Sequence, residues 1–284
     1  MARILVVGAG DIGGQLAINL AKSGHDVWAM RRSDVQLGKG VKAFQGDVSD
    51  PESLLSIPSD VEIVVYTVAS PEFSEAGYHK YYYRGIRHVL HALKAQGQKP
   101  EHMFFTSSTS VYHQMDASWV DELSPTEPTS FAGKELLLAE EALEDGYIPS
   151  TSVRFPGIYG PGRNRMIEQA RQGGYCDPTP DVWTNRIHRD DCVGVLAFLI
   201  EKALAGERPE SVYLACDSEP ATLFDVLEWM KDRIGEVEPD YDLPEATRRA
   251  NRRCSNKRLL DAGYKFKFNN FQEGYDFVLK EMGL

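Results

Sequence analysis

Cysteine is scarce and scattered. Cys176, Cys192, Cys216 and Cys254 form no close pair. That spacing argues against a zinc site or a disulfide framework and for small buried hydrophobes. Long apolar runs are missing too, for none approaches the ~20 residues of a membrane span. No basic leader, apolar stretch and small-residue cleavage site come before the first strand-like run, so the expected location is cytoplasmic. Positive charge is in deficit: 31 Lys and Arg face 42 Asp and Glu, a net −11. Such a surface repels phosphate backbones, so nucleic acid is not an expected partner, and neither is a membrane. A nucleotide is not excluded, because local dipoles and a few arginines suffice to hold one. Repeats and low-complexity tracts are absent. With 284 residues the chain can build one large domain, or one and a half.

The chain begins instead with a strong local pattern. Ile4 to Val7 is a continuous apolar run, Gly8-Ala-Gly10-Asp11-Ile12-Gly13 is a glycine-rich turn, and Ile12, Leu16, Leu20 and Ala21 recur at helical spacing. Strand, Gly-x-Gly-x-x-Gly and helix in that order describe a dinucleotide-binding turn. Gly8 makes the tight turn, Gly10 lets backbone approach a pyrophosphate, and Gly13 lets helix and strand pack closely. The phosphates meet the helix N-terminus at Asp11 and Ile12. Asp26 to Met30 reads as a second strand, and Arg31-Arg32-Ser33 follows. An NAD site commonly has an acidic residue at that strand end, and here only Asp34 lies nearby. Two arginines suit a 2′-phosphate, so the expected cofactor is NADP rather than NAD. The alternative is two solvated surface arginines.

Further strands are read at 41–44, 63–68, 103–106, 151–155 and 211–215, and a long helix at 78–96 with Tyr82, Ile86, Val89, Leu90 and Leu93 on its inner side. After the third strand, Asp47-Val48 contacts an adenine amine or shapes the turn. After the fourth, Val68 and the small Ala69 let the cofactor pass. The fifth runs into Ser107-Ser108-Thr109-Ser110-Val111-Tyr112, a hydroxyl cluster at the edge where open α/β sheets bind ligands. A helix at 132–144 carries Leu136, Leu137, Ala139 and Leu143. The alternation predicts an α/β fold: a doubly wound parallel seven-stranded Rossmann sheet of order 3-2-1-4-5-6-7 with a small C-terminal substrate lobe. The expected division is 1–155 plus about 185–216 for the nucleotide domain, and about 156–184 plus 217–284 for the lobe. Within the lobe, 223–234 reads as an amphipathic helix, 237–254 as a mobile loop, and 271–279 as a last helix. Asp191 has the look of a catalytic carboxylate, but opening a helix it is better read as a cap.

Six ordered blocks now resemble the extended short-chain dehydrogenase/reductases, the NAD(P)-dependent epimerase/dehydratases, in a short atypical bacterial form. They are Gly8 to Gly13, Phe105 to Tyr112, Arg154 to Arg163, Asn185 to Asp191, Val212 to Pro220 and Ser255 to Leu260 with Gly263 and Phe266. The resemblance implies that Ser108 polarises a substrate oxygen and that Phe155 and Pro156 flank the nicotinamide. It also puts Arg163 and His188 in the substrate lobe. Arg154 and Arg163 are each read as ligand contact or structural salt bridge, and His188 as ligand contact or backbone partner. The resemblance further implies a Tyr four residues before a Lys as the acid/base pair. Aligned on Pro128, Gly133 and Glu140, Ala132 and Leu136 stand at those positions; a shifted register gives Ser130 and Lys134, with a serine in place of the tyrosine, and no Tyr lies between Tyr112 and Tyr147. Tyr112 is the substitute proton carrier considered, against its reading as a lining aromatic. Three functions stay open. They are an NADP-dependent epimerase, dehydratase or reductase on a small polar or sugar-like molecule, a redox-inactive NADP-binding regulatory or scaffold protein, and a non-redox isomerase or hydrolase. Retention of Ser108, Tyr112, Arg154 and Arg163 favours an enzyme. No metal is expected. The Leu136-Leu137-Leu138 run supports a homodimer or simply core burial.

Overall fold

The computed structural model describes residues 1–33, 37–235, 237–242 and 250–284. Asp34 and part of the 237–254 stretch lie outside the described residues.

Seven strands form one sheet: Arg3–Val7, Asp26–Arg31, Val41–Gln45, Ile63–Tyr66, His102–Ser108, Ser150–Phe155 and Val212–Leu214. Counted in chain order they lie side by side as 3-2-1-4-5-6-7, parallel, as the sequence predicts. Ile4 to Val7 and Ile63 to Tyr66 are fully buried. Strands apolar at every position are what a sheet covered by helices on both faces requires. The register aligns Phe44, Met30, Val7, Tyr66 and Phe105 in one row across five strands. Everything just beyond that row therefore emerges at one edge: the Gly8 turn, Arg31-Arg32, Asp47, Val68 to Ser70, and Ser107-Ser108.

Helix Asp11–Lys22 buries Ile12, Leu16 and Leu20 as the sequence spacing predicts, with Ala17 rather than Ala21 as the fourth buried side chain. The long helix expected at 78–96 is instead three segments: Glu75–Tyr78, a π-helical stretch His79–Arg84, and Gly85–Ala95. The cause is beneath it. Tyr66, wholly buried at the end of its strand, donates its hydroxyl proton to the Tyr81 carbonyl. A side chain that takes a helix carbonyl widens the ladder locally. Gly85 makes room, for a Cβ there would collide with Tyr66 Oη and lie 3.0 Å from Val48 Cγ2. Helix Phe131–Glu144 packs on the π stretch and starts from Ser130, whose hydroxyl accepts the Gly133 N–H. Leu136, Ala139 and Leu143 are buried there, while Leu138 faces solvent.

The chain divides into two compact units. The first is Met1–Val111, Thr126–Arg154 and Val193–Tyr213; the second is Tyr112–Pro125, Phe155–Cys192 and Leu214–Leu284. The segment Tyr112–Pro125, expected in the nucleotide domain, joins the second unit because Trp119–Val120 pairs in parallel with Arg253–Cys254. Two more short pairings brace that unit, Gly157–Tyr159 with Arg186–His188 and Trp183–Thr184 with Ala221–Thr222. Its core is built by Ile167, Val226, Leu227, Met230, Phe271 and Val278 from helices Arg165–Arg171, Leu223–Ile234 and Phe271–Glu281. All four cysteines are buried thiols. Among the described residues no helix is long and apolar enough to cross a membrane.

Candidate functional site

The glycine turn has the geometry a dinucleotide needs. Gly8 has φ +100°, and a Cβ on it would lie 2.8 Å from the Val68 backbone nitrogen, so only glycine fits. A Cβ on Gly13 would collide with Thr67 Oγ1 and the Gly8 carbonyl, which fixes the close approach of helix and strand. A Cβ on Gly10, by contrast, would meet nothing within 4 Å. Its exposed backbone opens the helix without any side-chain cap, and Asp11 and Ile12 begin the first helical turn. An uncapped helix N-terminus with open space in front suits a pyrophosphate. The turn is held from beneath by Ala9 N–H on the Met30 carbonyl (2.8 Å) and Thr67 Oγ1–H on the Gly8 carbonyl (2.8 Å).

Arg31 ends the second strand and Arg32 is exposed beside it, its guanidinium 5.9 Å from the Tyr81 ring centroid. Among the described residues neither arginine pairs with a carboxylate. Asp47 takes its turn-shaping role: its Oδ1 accepts the Ser49 N–H at 2.8 Å. Val48 is buried and its carbonyl meets His88 Nδ1 at 2.7 Å. Val68 lies against Gly8, and Ala69 is exposed.

At the end of the fifth strand the hydroxyls divide. Ser107 is buried and donates to Glu140 Oε1 at 2.5 Å. Ser108 is half-buried, and its Oγ accepts the Ser110 N–H at 3.1 Å, leaving its proton to donate. Arg154 does not reach toward a ligand. It is 5% exposed and forks onto Glu140, Nη2 to Oε2 at 2.6 Å and Nε to Oε1 at 3.0 Å. Ser107, Glu140 and Arg154 thus form a buried network tying helix Phe131–Glu144 to two strands, and the salt-bridge reading of Arg154 replaces the ligand-contact one. Glu140 served in the sequence only as an alignment mark; no local pattern signals its partner. Nearby, Glu135 is buried and its Oε2 meets His79 Nδ1 at 2.9 Å. Ala132 and Leu136 are buried at 8% and 5%, so their positions offer no proton donor.

Tyr112 is corrected in the same way. It is 3% exposed, its hydroxyl donates to the Asp121 carbonyl at 2.7 Å, and the Arg252 guanidinium caps its ring and carbonyl. It is a packing aromatic of the second unit. Phe155 is buried in that unit, Pro156 half-buried, and Arg163 exposed with its N–H on the Gly160 carbonyl at 2.9 Å. His188 is 1% exposed among Tyr159, Phe268 and Phe277, with Nδ1 accepting the Asp190 N–H at 3.1 Å. Burial holds its pKa down to about 4, so the ring is neutral. Asp191 is more than a helix cap. Fully buried, it accepts from Lys267 N–H (2.7 Å), Phe268 N–H (3.1 Å) and the Tyr264 hydroxyl (2.9 Å). Among the described residues no group of three or more His, Cys, Asp or Glu could hold a metal ion.

Comparison with known proteins follows the same lines. The sequence profile of the NAD dependent epimerase/dehydratase family matches residues 4–215. A solved structure from Methylobacillus flagellatus, provisionally described as an NAD-dependent epimerase/dehydratase, is 38% identical, covers 100% of this chain and 99% of its own, and superposes with a TM-score of 0.84. The enzyme WbmG of Bordetella bronchiseptica, solved in complex with NAD, shares the fold at 20% identity with a TM-score of 0.78, over 98% of this chain and 93% of its own. Isoflavone reductase homolog P3 of Arabidopsis thaliana is 29% identical over 193 residues, which are 58% of this chain and 56% of that protein. The match thus spans little more than half the length of that relative.

Proposed function

Since the chain belongs to the NAD dependent epimerase/dehydratase family, we propose that its first unit binds NADP and that it works as an enzyme on a small polar, sugar-like substrate. The observation that carries this reading is the alignment of three features beyond one row of the sheet. These are the open, uncapped turn at Gly10, the pair Arg31-Arg32, which meets no carboxylate among the described residues, and the Ser108 hydroxyl. Gly10, Asp11, Ile12 and Gly13 would hold the pyrophosphate through backbone N–H groups. Arg31 and Arg32 would hold the 2′-phosphate. When bound, the nicotinamide supplies hydride chemistry. The chain's own part is to orient the substrate oxygen with the Ser108 proton, which the Ser110 N–H on Oγ leaves available to donate. The exposed Arg163 is proposed as a contact for an anionic group.

A redox-inactive NADP-binding protein is the second reading, favoured by the buried Ala132 and Leu136 where the resemblance calls for Tyr and Lys. Both readings share the nucleotide. Fluorescence titration of the wild-type protein with NADPH and NADH tests it. Tighter NADPH binding is expected by about tenfold or more, the worth of charge-assisted hydrogen bonds to one phosphate. The Arg31→Ala/Arg32→Ala variant should bring the two affinities together. Equal affinities in the wild type would refute the assignment of these arginines. Oxidation of bound NADPH by a panel of keto-sugars separates enzyme from sensor.

A further inference from the structure

The Tyr-Lys pair is missing from helix Phe131–Glu144, but the edge of the sheet beside that helix is not without a phenol. Tyr82 sits in the π stretch His79–Arg84, which packs on that helix. Its ring lies 6.3 Å from Phe105 on the fifth strand and 5.0 Å from Tyr78, and Tyr78 in turn is 5.5 Å from Phe131, the residue before Ala132. Its hydroxyl oxygen accepts the Ser70 N–H at 3.4 Å. Ser70 lies four residues past Tyr66, and Tyr66 is in register with Phe105, three residues before Ser108. Tyr82 Oη, through Ser70 beyond the fourth strand, and Ser108 Oγ at the end of the fifth therefore belong to the same edge.

The direction of a dinucleotide on this edge follows from the topology. The arginines end the second strand, on one side of the glycine turn, and the fourth and fifth strands lie on the other. A nucleotide whose 2′-phosphate meets Arg31-Arg32 and whose pyrophosphate meets Gly10 carries its nicotinamide riboside over Val68 to Ser70 and Ser108. We propose that Tyr82 donates a hydrogen bond to the nicotinamide-riboside half of the dinucleotide, a contact that neither Ala132 nor Leu136 can make. This rests on the NADP reading above. The Ser70 N–H occupies one lone pair of the phenol oxygen, and among the described residues no acceptor takes its proton. Half-buried among aromatic rings, the hydroxyl has its pKa pushed up to about 12 and remains a donor at neutral pH. The π stretch explains how the ring is aimed. The hydroxyl of Tyr66 on the Tyr81 carbonyl displaces the following residue from ordinary helical register.

The test separates the two halves of the nucleotide. NADPH and adenosine 2′,5′-bisphosphate, which carries the adenosine half and no nicotinamide riboside, are titrated against wild type and Tyr82→Phe. Thermal unfolding verifies that removal of one oxygen leaves the fold intact. The variant should bind NADPH about threefold to tenfold more weakly, the range of one hydrogen bond, and bind the bisphosphate unchanged. Equal losses for both ligands, or none for either, would overturn the contact while leaving the NADP site standing. Failure of the wild type to bind the bisphosphate would instead remove the NADP reading on which the contact depends.

Discussion

Arg154 and Glu140 show what one buried pair decides. Both are under a tenth exposed, the guanidinium grips both carboxylate oxygens, and Ser107 adds a third bond. Removing one partner leaves the other charged and desolvated, which costs far more than the pair contributes. Glu140→Ala should destabilise the protein by about 3–5 kcal/mol in urea unfolding, and adding Arg154→Leu should recover part of that loss. If the single variant loses less than about 1 kcal/mol, the pair is not the clamp described. The sequence put Arg154 in place but left its partner open. The two residues are joined only once helix Phe131–Glu144 lies against the sheet, and no spacing along the chain encodes that. Tyr112 was ambiguous for the same reason, since its acceptor is a backbone carbonyl nine residues away. Gly8 and Gly13 were legible because their spacing between a strand and a helix is a local signal, although the neighbours that require them, Val68 and Thr67, lie far along the chain.

Among the elements, the π stretch is the one that periodicity misjudges. A 3.6-residue repeat from Tyr82 through Ile86, Val89 and Leu93 predicts one continuous inner face. The structure buries Ile86, Val89, Leu90 and Leu93, but within the widened stretch Tyr81 is the buried tyrosine and Tyr82 is only half-covered. One extra residue per turn rotates the face, and its cause, the Tyr66 hydroxyl, sits on a strand. Gly85→Ala should cost about 1–3 kcal/mol by forcing Cβ into that hydroxyl. Tyr66→Phe removes the obstacle, so the double variant should be more stable than the sum of the single losses by about 1 kcal/mol or more. Simple additivity in thermal or urea unfolding would mean that Gly85 is not there to admit Tyr66.

For the whole molecule, the sheet order followed from seven apolar runs and the handedness of their crossovers. The braces of the second unit were out of reach, because strands of two or three residues carry no period. Its buried ionisable groups were equally hidden, and together with one in the first unit they give the protein a pH profile of opposing limbs. His102 in the first unit and His188 in the second are pushed down to about 4 by burial. As pH falls from 6.5 toward 4, the unfolded chain binds protons that these folded imidazoles refuse, and stability is lost. Asp217 acts in reverse. Buried at 2% exposure near Arg186 and Tyr159, its carboxyl is pushed up to about 7, chiefly by desolvation and against the pull of Arg186. Between pH 4 and 7 the folded chain keeps a proton that the unfolded chain has released, so stability falls by up to about 1.4 kcal/mol per unit as pH rises, and levels off above 7. Asp217→Asn removes that limb alone. Measured by urea unfolding across pH 4 to 8.5, the stability of the variant relative to wild type should climb by up to about 4 kcal/mol from pH 4 to 7 and then stay constant. A difference that does not vary with pH would place the Asp217 pKa at its ordinary value and cancel the limb that descends between pH 4 and 7, leaving the opposing limb of the histidines in place.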